Sequence, residues 1–160
     1  MIAEKGVVKT SSAFCTHSTG DLKIVDLENV RLVVVEAEPE VQAAIVSILQ
    51  NCGAEVVAVN SVQAGLRAVG QQRPDVLISD LYLPDGDGCS LMHTVREQEA
   101  IHNIRAVPAI AISEYAKTVD LDELITAGFK RYLSKPIQAG RLISLVAWLT
   151  DRGQNLNQDN

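Results

Sequence analysis

Asp80, Ser113 and Lys135 each close a short apolar run, and each is followed by residues that cannot prolong a strand. Val76-Leu77-Ile78-Ser79 leads into Asp80, after which Pro84, Asp85, Gly86, Asp87 and Gly88 force a loop. Val107 to Ile112 leads into Ser113 and Glu114, and Lys130 to Leu133 into Ser134, Lys135 and Pro136. A fourth run, Leu32 to Val35, ends at Glu36, with Glu38 close behind. An aspartate carboxylate can attack phosphorus to form an acyl phosphate. The charge that develops on the phosphoryl oxygens calls for a hydroxyl donor, an ammonium and a hard divalent cation such as Mg²⁺ held by carboxylate oxygens. Singly, each residue has a duller reading: an aspartate after a strand caps a turn, a serine bonds local backbone, and a lysine before proline is solvated. Their joint occurrence at successive strand ends favours the chemical reading.

The elements that must carry these residues are legible. Pro39 suits the first turn of a helix, and Val41, Ala44, Ile45, Ile48, Leu49 and Cys52 recur at helical spacing, with Gly53 as the stop. Glu55 to Val59 is a second apolar run, and Asn60 or Ser61 can cap a helix over Val62 to Gln72. Leu91, Met92 and Val95 mark a helix after the glycine loop. Further helices are expected from Asp120 to Ala127, stopped by Gly128, and along Leu142, Ile143, Leu145, Val146 and Leu149. Five β–α alternations in this length predict a parallel sheet with helices on both faces, in the flavodoxin-like strand order 2-1-3-4-5. In such a sheet the C-terminal strand ends share one rim, where ligands bind.

Composition bounds the rest. A net charge of −6 with no Lys/Arg cluster argues against a nucleic-acid surface. Aromatics at 4% leave Val, Ile, Leu and Ala to fill the core. Cys15, Cys52 and Cys89 show neither paired nor zinc-like spacing and read as thiols in a reducing compartment. No stretch is long and apolar enough to span a membrane, so the cytoplasm is the expected location. The polar start reads as a mobile extension over residues 1–29, in which Leu22 to Val25 could form a short extra strand. The domain is expected over 30–150, with a polar tail over 151–160.

The motifs VVVEAEPE, DVLISDLYLPDGDG, AIAISEYA and AGFKRYLSKPI, in that order, resemble the receiver domain of bacterial two-component response regulators. The receivers appended to hybrid histidine kinases are the most similar in flavour. The resemblance implies a CheY-like fold in which Asp80 is the phosphoacceptor, Lys135 the conserved-type lysine and Lys135–Pro136 a cis bond. Ser113 and Tyr132 would be the hydroxyl and aromatic switch residues. It implies Mg²⁺ held by Glu36, Asp80 and the backbone carbonyl of Tyr82. Partners would be a histidine kinase or phosphotransfer protein and a downstream effector protein. That effector would dock on the face formed by the helix from Asp120, the strand from Lys130 and the last helix, through which a homodimer is also expected. Two departures bear on this. Ala37 stands where the family carries the second acid of a pair, and Glu38 falls one position too late to replace it. Glu114 follows Ser113 where a small residue is usual; it either opposes a phosphoryl dianion or partly replaces the lost ligand. These departures support an alternative, a pseudo-receiver that binds proteins without phosphorylation. Phosphatases with an aspartyl-phosphate intermediate place a second acid two residues after the nucleophile. Tyr82 stands there, so an enzyme proper is not expected.

Overall fold

In the computed structural model, residues 25–114 and 118–152 are described. The elements run β1 (Arg31–Val35), α1 (Pro39–Asn51), β2 (Glu55–Val59), α2 (Val62–Gln72) and β3 (Val76–Asp80). A miniature hairpin, β4 (Tyr82–Leu83) and β5 (Gly86–Asp87), precedes α3 (Gly88–His102). Then follow β6 (Ala109–Ser113), α4 (Leu121–Ala127), β7 (Arg131–Ser134) and α5 (Ala139–Leu149). The five long strands form one parallel sheet in the order β2-β1-β3-β6-β7. With the hairpin set aside, that is the expected flavodoxin-like order.

The strands bury both faces, because successive side chains point to opposite sides. Leu32 and Val34, Ile78, Ile110 and Ile112 face α1 and α5, packing with Ile45, Leu49, Leu142 and Val146. Val33 and Val35, Leu77, Ala109 and Ala111 face the other way, against Leu91, Met92 and Val95 of α3 and Leu124 of α4. Central strands β3 and β6 are buried at every position. A near-continuous apolar run is what a doubly covered parallel strand requires.

The caps follow the sequence closely. Ser61 accepts the Ala64 amide at the start of α2, and Gly53, just beyond α1, adopts φ 93. Strand β6 begins at Ala109, later than the expected Val107, since Pro108 has no amide to donate to the ladder.

Packing extends beyond the expected domain limits. Val25, Leu27 and Val30 are buried in the core under α1 and α5, and the Leu27 amide donates to the Cys52 carbonyl at 2.8 Å. Core packing therefore reaches upstream of residue 30, into the segment read as an extension. At the other end, the Arg152 amide donates to Ala147 (2.7 Å) and its guanidinium to the Glu28 carbonyl (3.0 Å). Cys89 is free, whereas Cys52 is disulfide-bonded, which corrects the reading of all the cysteines as thiols. Cys15, Leu22 to Ile24 and residues 153–160 also lie outside that set.

Candidate functional site at the C-terminal strand ends

Parallel registration delivers the expected residues to one rim. Val35 of β1 registers with Ser79 of β3, so Glu36 and Asp80 emerge side by side. Asp80 registers with Ile112 of β6, one residue before Ser113, and Ser113 registers with Ser134, one residue before Lys135. The Lys135–Pro136 bond is cis.

Lys135 joins the two acids. Its Nζ donates to Asp80 Oδ2 at 2.7 Å and lies 2.8 Å from Glu36 Oε2. All three are withdrawn from solvent, with side-chain exposures of 8% for Lys135, 9% for Asp80 and 1% for Glu36. The second contact is an ion pair by distance, but its angles do not make a hydrogen bond. Glu36 Oε2 is thus a buried oxygen that accepts none. Glu36 Oε1 accepts the Glu38 amide at 3.0 Å. Burial drives the Glu36 carboxyl above its ordinary value, and repulsion from Asp80 adds to it; the adjacent Lys135 ammonium and the hydrogen bond from the Glu38 amide only partly offset this. Burial pulls Lys135 down, yet its hydrogen bond to Asp80 and its ion pair with Glu36 outweigh that and hold the ammonium above its ordinary value.

The Asp80 carboxylate is oriented from both sides. Oδ1 accepts the Tyr82 amide at 3.0 Å while Oδ2 faces Lys135. The Tyr82 side chain itself is exposed. Gly88 closes the loop: its amide donates to the Leu81 carbonyl at 3.0 Å, and a Cβ there would lie 2.5 Å from the Asp80 carbonyl oxygen. Only glycine lets α3 start so close to the phosphoacceptor candidate's backbone. Asp85 and Asp87, in the loop that the sequence predicts after Asp80, accept helix-start amides. Asp87 accepts the Ser90 amide at the start of α3, and Asp85 accepts two amides of α2.

Ser113 is fully buried at the end of β6. Its carbonyl accepts the Lys135 amide at 2.9 Å and the Tyr132 hydroxyl at 3.3 Å. The Tyr132 ring is half-buried against the α3–α4 side of the core, and burial lifts its phenol above the ordinary value. Glu114 and Glu38 are exposed, and Ala37 is half-buried. Among the described residues, neither the Glu38 nor the Glu114 side chain forms a hydrogen bond or ion pair with the Glu36–Asp80–Lys135 cluster. Sequence reasoning passed over Gln42, whose amide donates to the carbonyls of Glu36 (2.9 Å) and Val59 (3.0 Å) and ties α1 to two strand ends. A glutamine one turn into a helix carries no signal that would single it out.

Residues 32–147 match the family model of the response regulator receiver domain. The chain is 31% identical over 72% of its length to the sensor protein GacS of Pseudomonas syringae pv. syringae, spanning 13% of that protein. It is 32% identical over 69% of its length to the KDP operon transcriptional regulatory protein KdpE of Escherichia coli, spanning 47% of it. The matched stretch is thus less than half of either relative. The solved receiver domain of the sensor histidine kinase PA1611 from Pseudomonas aeruginosa, described with a magnesium ion coordinated in its active site cleft, superposes with a TM-score of 0.67. That pair shares 29% identity over 76% of this chain and 97% of the other. With the strand order, the rim and these likenesses together, the chain belongs to the response regulator receiver domain family.

Proposed function

We propose that this receiver accepts a phosphoryl group on Asp80 from a phosphohistidine of a kinase or phosphotransfer protein. The observation that carries this reading is the Lys135–Asp80 ion pair at 2.7 Å inside a buried rim. In the transfer, an Asp80 oxygen attacks phosphorus, the P–N bond to the donor histidine breaks, and the imidazole leaves with the bond's electron pair. Asp80 Oδ1, held by an amide, and Oδ2, held by Lys135, are presented with the carboxylate fixed. The ammonium is placed to follow charge onto the phosphoryl oxygens. The buried Ser113, coupled through its carbonyl to Tyr132, supplies the switch that reports the new group. The output is a protein-binding face where Leu121 and Ile125 of α4 and Trp148 of α5 are exposed, with the Arg131 guanidinium 4.3 Å from the Trp148 ring.

Glu36, Asp80 and the Tyr82 carbonyl would hold Mg²⁺, and Glu36 Oε2, which accepts no hydrogen bond, is an oxygen of the kind such an ion takes. Bound there, the ion would offset charge on the phosphoryl oxygens. The donor set is lean: Ala37 supplies no oxygen, and among the described residues no group of three His, Cys, Asp or Glu side chains converges to hold a metal. Lys135, bridging the two acids, takes up much of the charge compensation that a cation would give.

That leanness favours a second reading, a pseudo-receiver that works through the same face without phosphate. One assay separates them. Wild type and Ala37→Asp are incubated with acetyl phosphate over a Mg²⁺ series, and acid-labile phosphate is measured. The first reading expects incorporation in both, with Ala37→Asp saturating at about tenfold lower Mg²⁺, since Mg²⁺ sites draw on one or two carboxylates and the variant adds one. No incorporation in either protein would leave the pseudo-receiver standing.

A further inference from the structure

The hairpin that follows Asp80 is clasped at its tip by a helix more than twenty residues earlier. Asp85 Oδ1 accepts the Val62 amide at 2.7 Å and Oδ2 accepts the Gln63 amide at 3.1 Å, spanning 23 and 22 residues of chain. Helix α2 does not need this help to begin. Ser61 already caps it by accepting the Ala64 amide, and exposed first-turn amides can be met by water. The beneficiary is the loop. Pro84 and Asp85 form the tip of the hairpin in which Tyr82 pairs with Asp87 and Leu83 with Gly86. Its base is fixed by the Gly88–Leu81 hydrogen bond and by Asp87 capping α3. Between tip and base lies Tyr82, whose amide holds Asp80 Oδ1.

We propose that Asp85 is a positioning residue for the phosphoacceptor site. By gripping the first two amides of α2, it holds the hairpin so that the Tyr82 amide aims the Asp80 carboxylate. Without the clasp the hairpin swings about its base, the Tyr82–Asp80 hydrogen bond loosens, and the Oδ2 presented beside Lys135 is no longer fixed. The α2 N-terminus suits this grip, because its free amides and helix dipole favour a carboxylate. The carboxylate's two oxygens take one amide each, which an uncharged side chain cannot reproduce in full. The consequence for phosphorylation rests on the function proposed above; the consequence for the Tyr82 amide does not.

The test uses the full chain with Asp85→Ala, Asp85→Asn and Val62→Pro. Proline is tolerated at the first helical position, so Val62→Pro keeps α2 and removes one clasp bond from the opposite side. Amide exchange at Tyr82 is followed by NMR, and phosphorylation by acetyl phosphate is timed. Asp85→Ala is expected to speed Tyr82 exchange and slow phosphorylation by about tenfold, the scale of a modest misplacement of a reacting group. Asp85→Asn, which keeps one acceptor oxygen, recovers most of both, and Val62→Pro shifts both in the direction of the alanine variant. Wild-type exchange at Tyr82 in Asp85→Ala, or an asparagine variant no better than alanine, overturns the proposal. If wild type takes up no phosphate while Tyr82 exchange responds as expected, the function above fails and the positioning role stands.

Discussion

Two buried charge clusters sit at opposite ends of the sheet, and they are finished differently. At the N-terminal ends of the strands, Arg96 reaches both oxygens of Glu99 at 2.5 and 3.1 Å, and Glu99 Oε2 also accepts the Val107 amide at 2.6 Å. The same guanidinium donates to the carbonyls of Val107 and Gly128, each at 2.7 Å. Every oxygen of that carboxylate is satisfied, and α3 is pinned to the segments entering β6 and β7. At the other end, one ammonium serves two carboxylates and Glu36 Oε2 accepts no hydrogen bond. A complete network specifies structure. An incomplete one leaves, at this rim, two carboxylates against one ammonium and a carboxylate oxygen that is ion-paired but accepts no hydrogen bond. Cavity size does not draw this distinction: a cavity of about 540 Å³, lined in part by Glu99, Arg73 and Arg105, lies at the finished end.

The sharpest break in the comparison is Glu99→Ala. It strands Arg96 and the Val107 amide in a partly buried setting, so urea unfolding should show a loss of about 3 kcal/mol. Gly88→Ala comes next, since its Cβ must displace the Asp80 backbone. About 2 kcal/mol of destabilisation is expected from such overpacking, together with loss of phosphorylation by acetyl phosphate. Asp80→Asn should change unfolding stability by less than about 1 kcal/mol, because Lys135 keeps Glu36 as a partner and a like-charge repulsion is removed, while phosphate uptake vanishes. A loss as large as that of Glu99→Ala would mean that the site end is as structural as the other.

The smallest effect is in pH. Bonds from the Val62 and Gln63 amides hold the Asp85 carboxyl below its ordinary 3.8. The folded state therefore binds that proton more weakly than the unfolded state. Its contribution to stability is present above pH 3.8 and is lost as pH falls through the lowered folded value. The stability difference between wild type and Asp85→Asn should shrink over that acid window, measured by urea unfolding at several pH values, and stay flat at neutral pH.

The sequence made the sheet legible because buried parallel strands are apolar throughout and are punctuated by Gly, Pro and Asp. The convergence of Glu36, Asp80, Ser113 and Lys135 then followed from strand direction alone. Relations across the chain were not legible. The clasp between Asp85 and α2, the reach of Gln42 to two carbonyls and the reach of Arg96 to the Val107 and Gly128 carbonyls join residues whose own neighbours give no hint of a partner. Likewise Val25 and Leu27 sit in a short polar context, and only the groove under α1 and α5 shows why they pack. The departures at Ala37 and Glu114 were visible in the sequence. Geometry adds that Lys135 bridges the remaining acids and that Glu114 is exposed.

The central claim is that Asp80 is the residue that takes the phosphoryl group. Protein treated with acetyl phosphate and Mg²⁺, then reduced with borohydride, converts an aspartyl phosphate to homoserine that peptide mass spectrometry can place. The account predicts homoserine at position 80 and at no other aspartate. Reduction at another aspartate, or no reduction under conditions that label a known receiver, would contradict it.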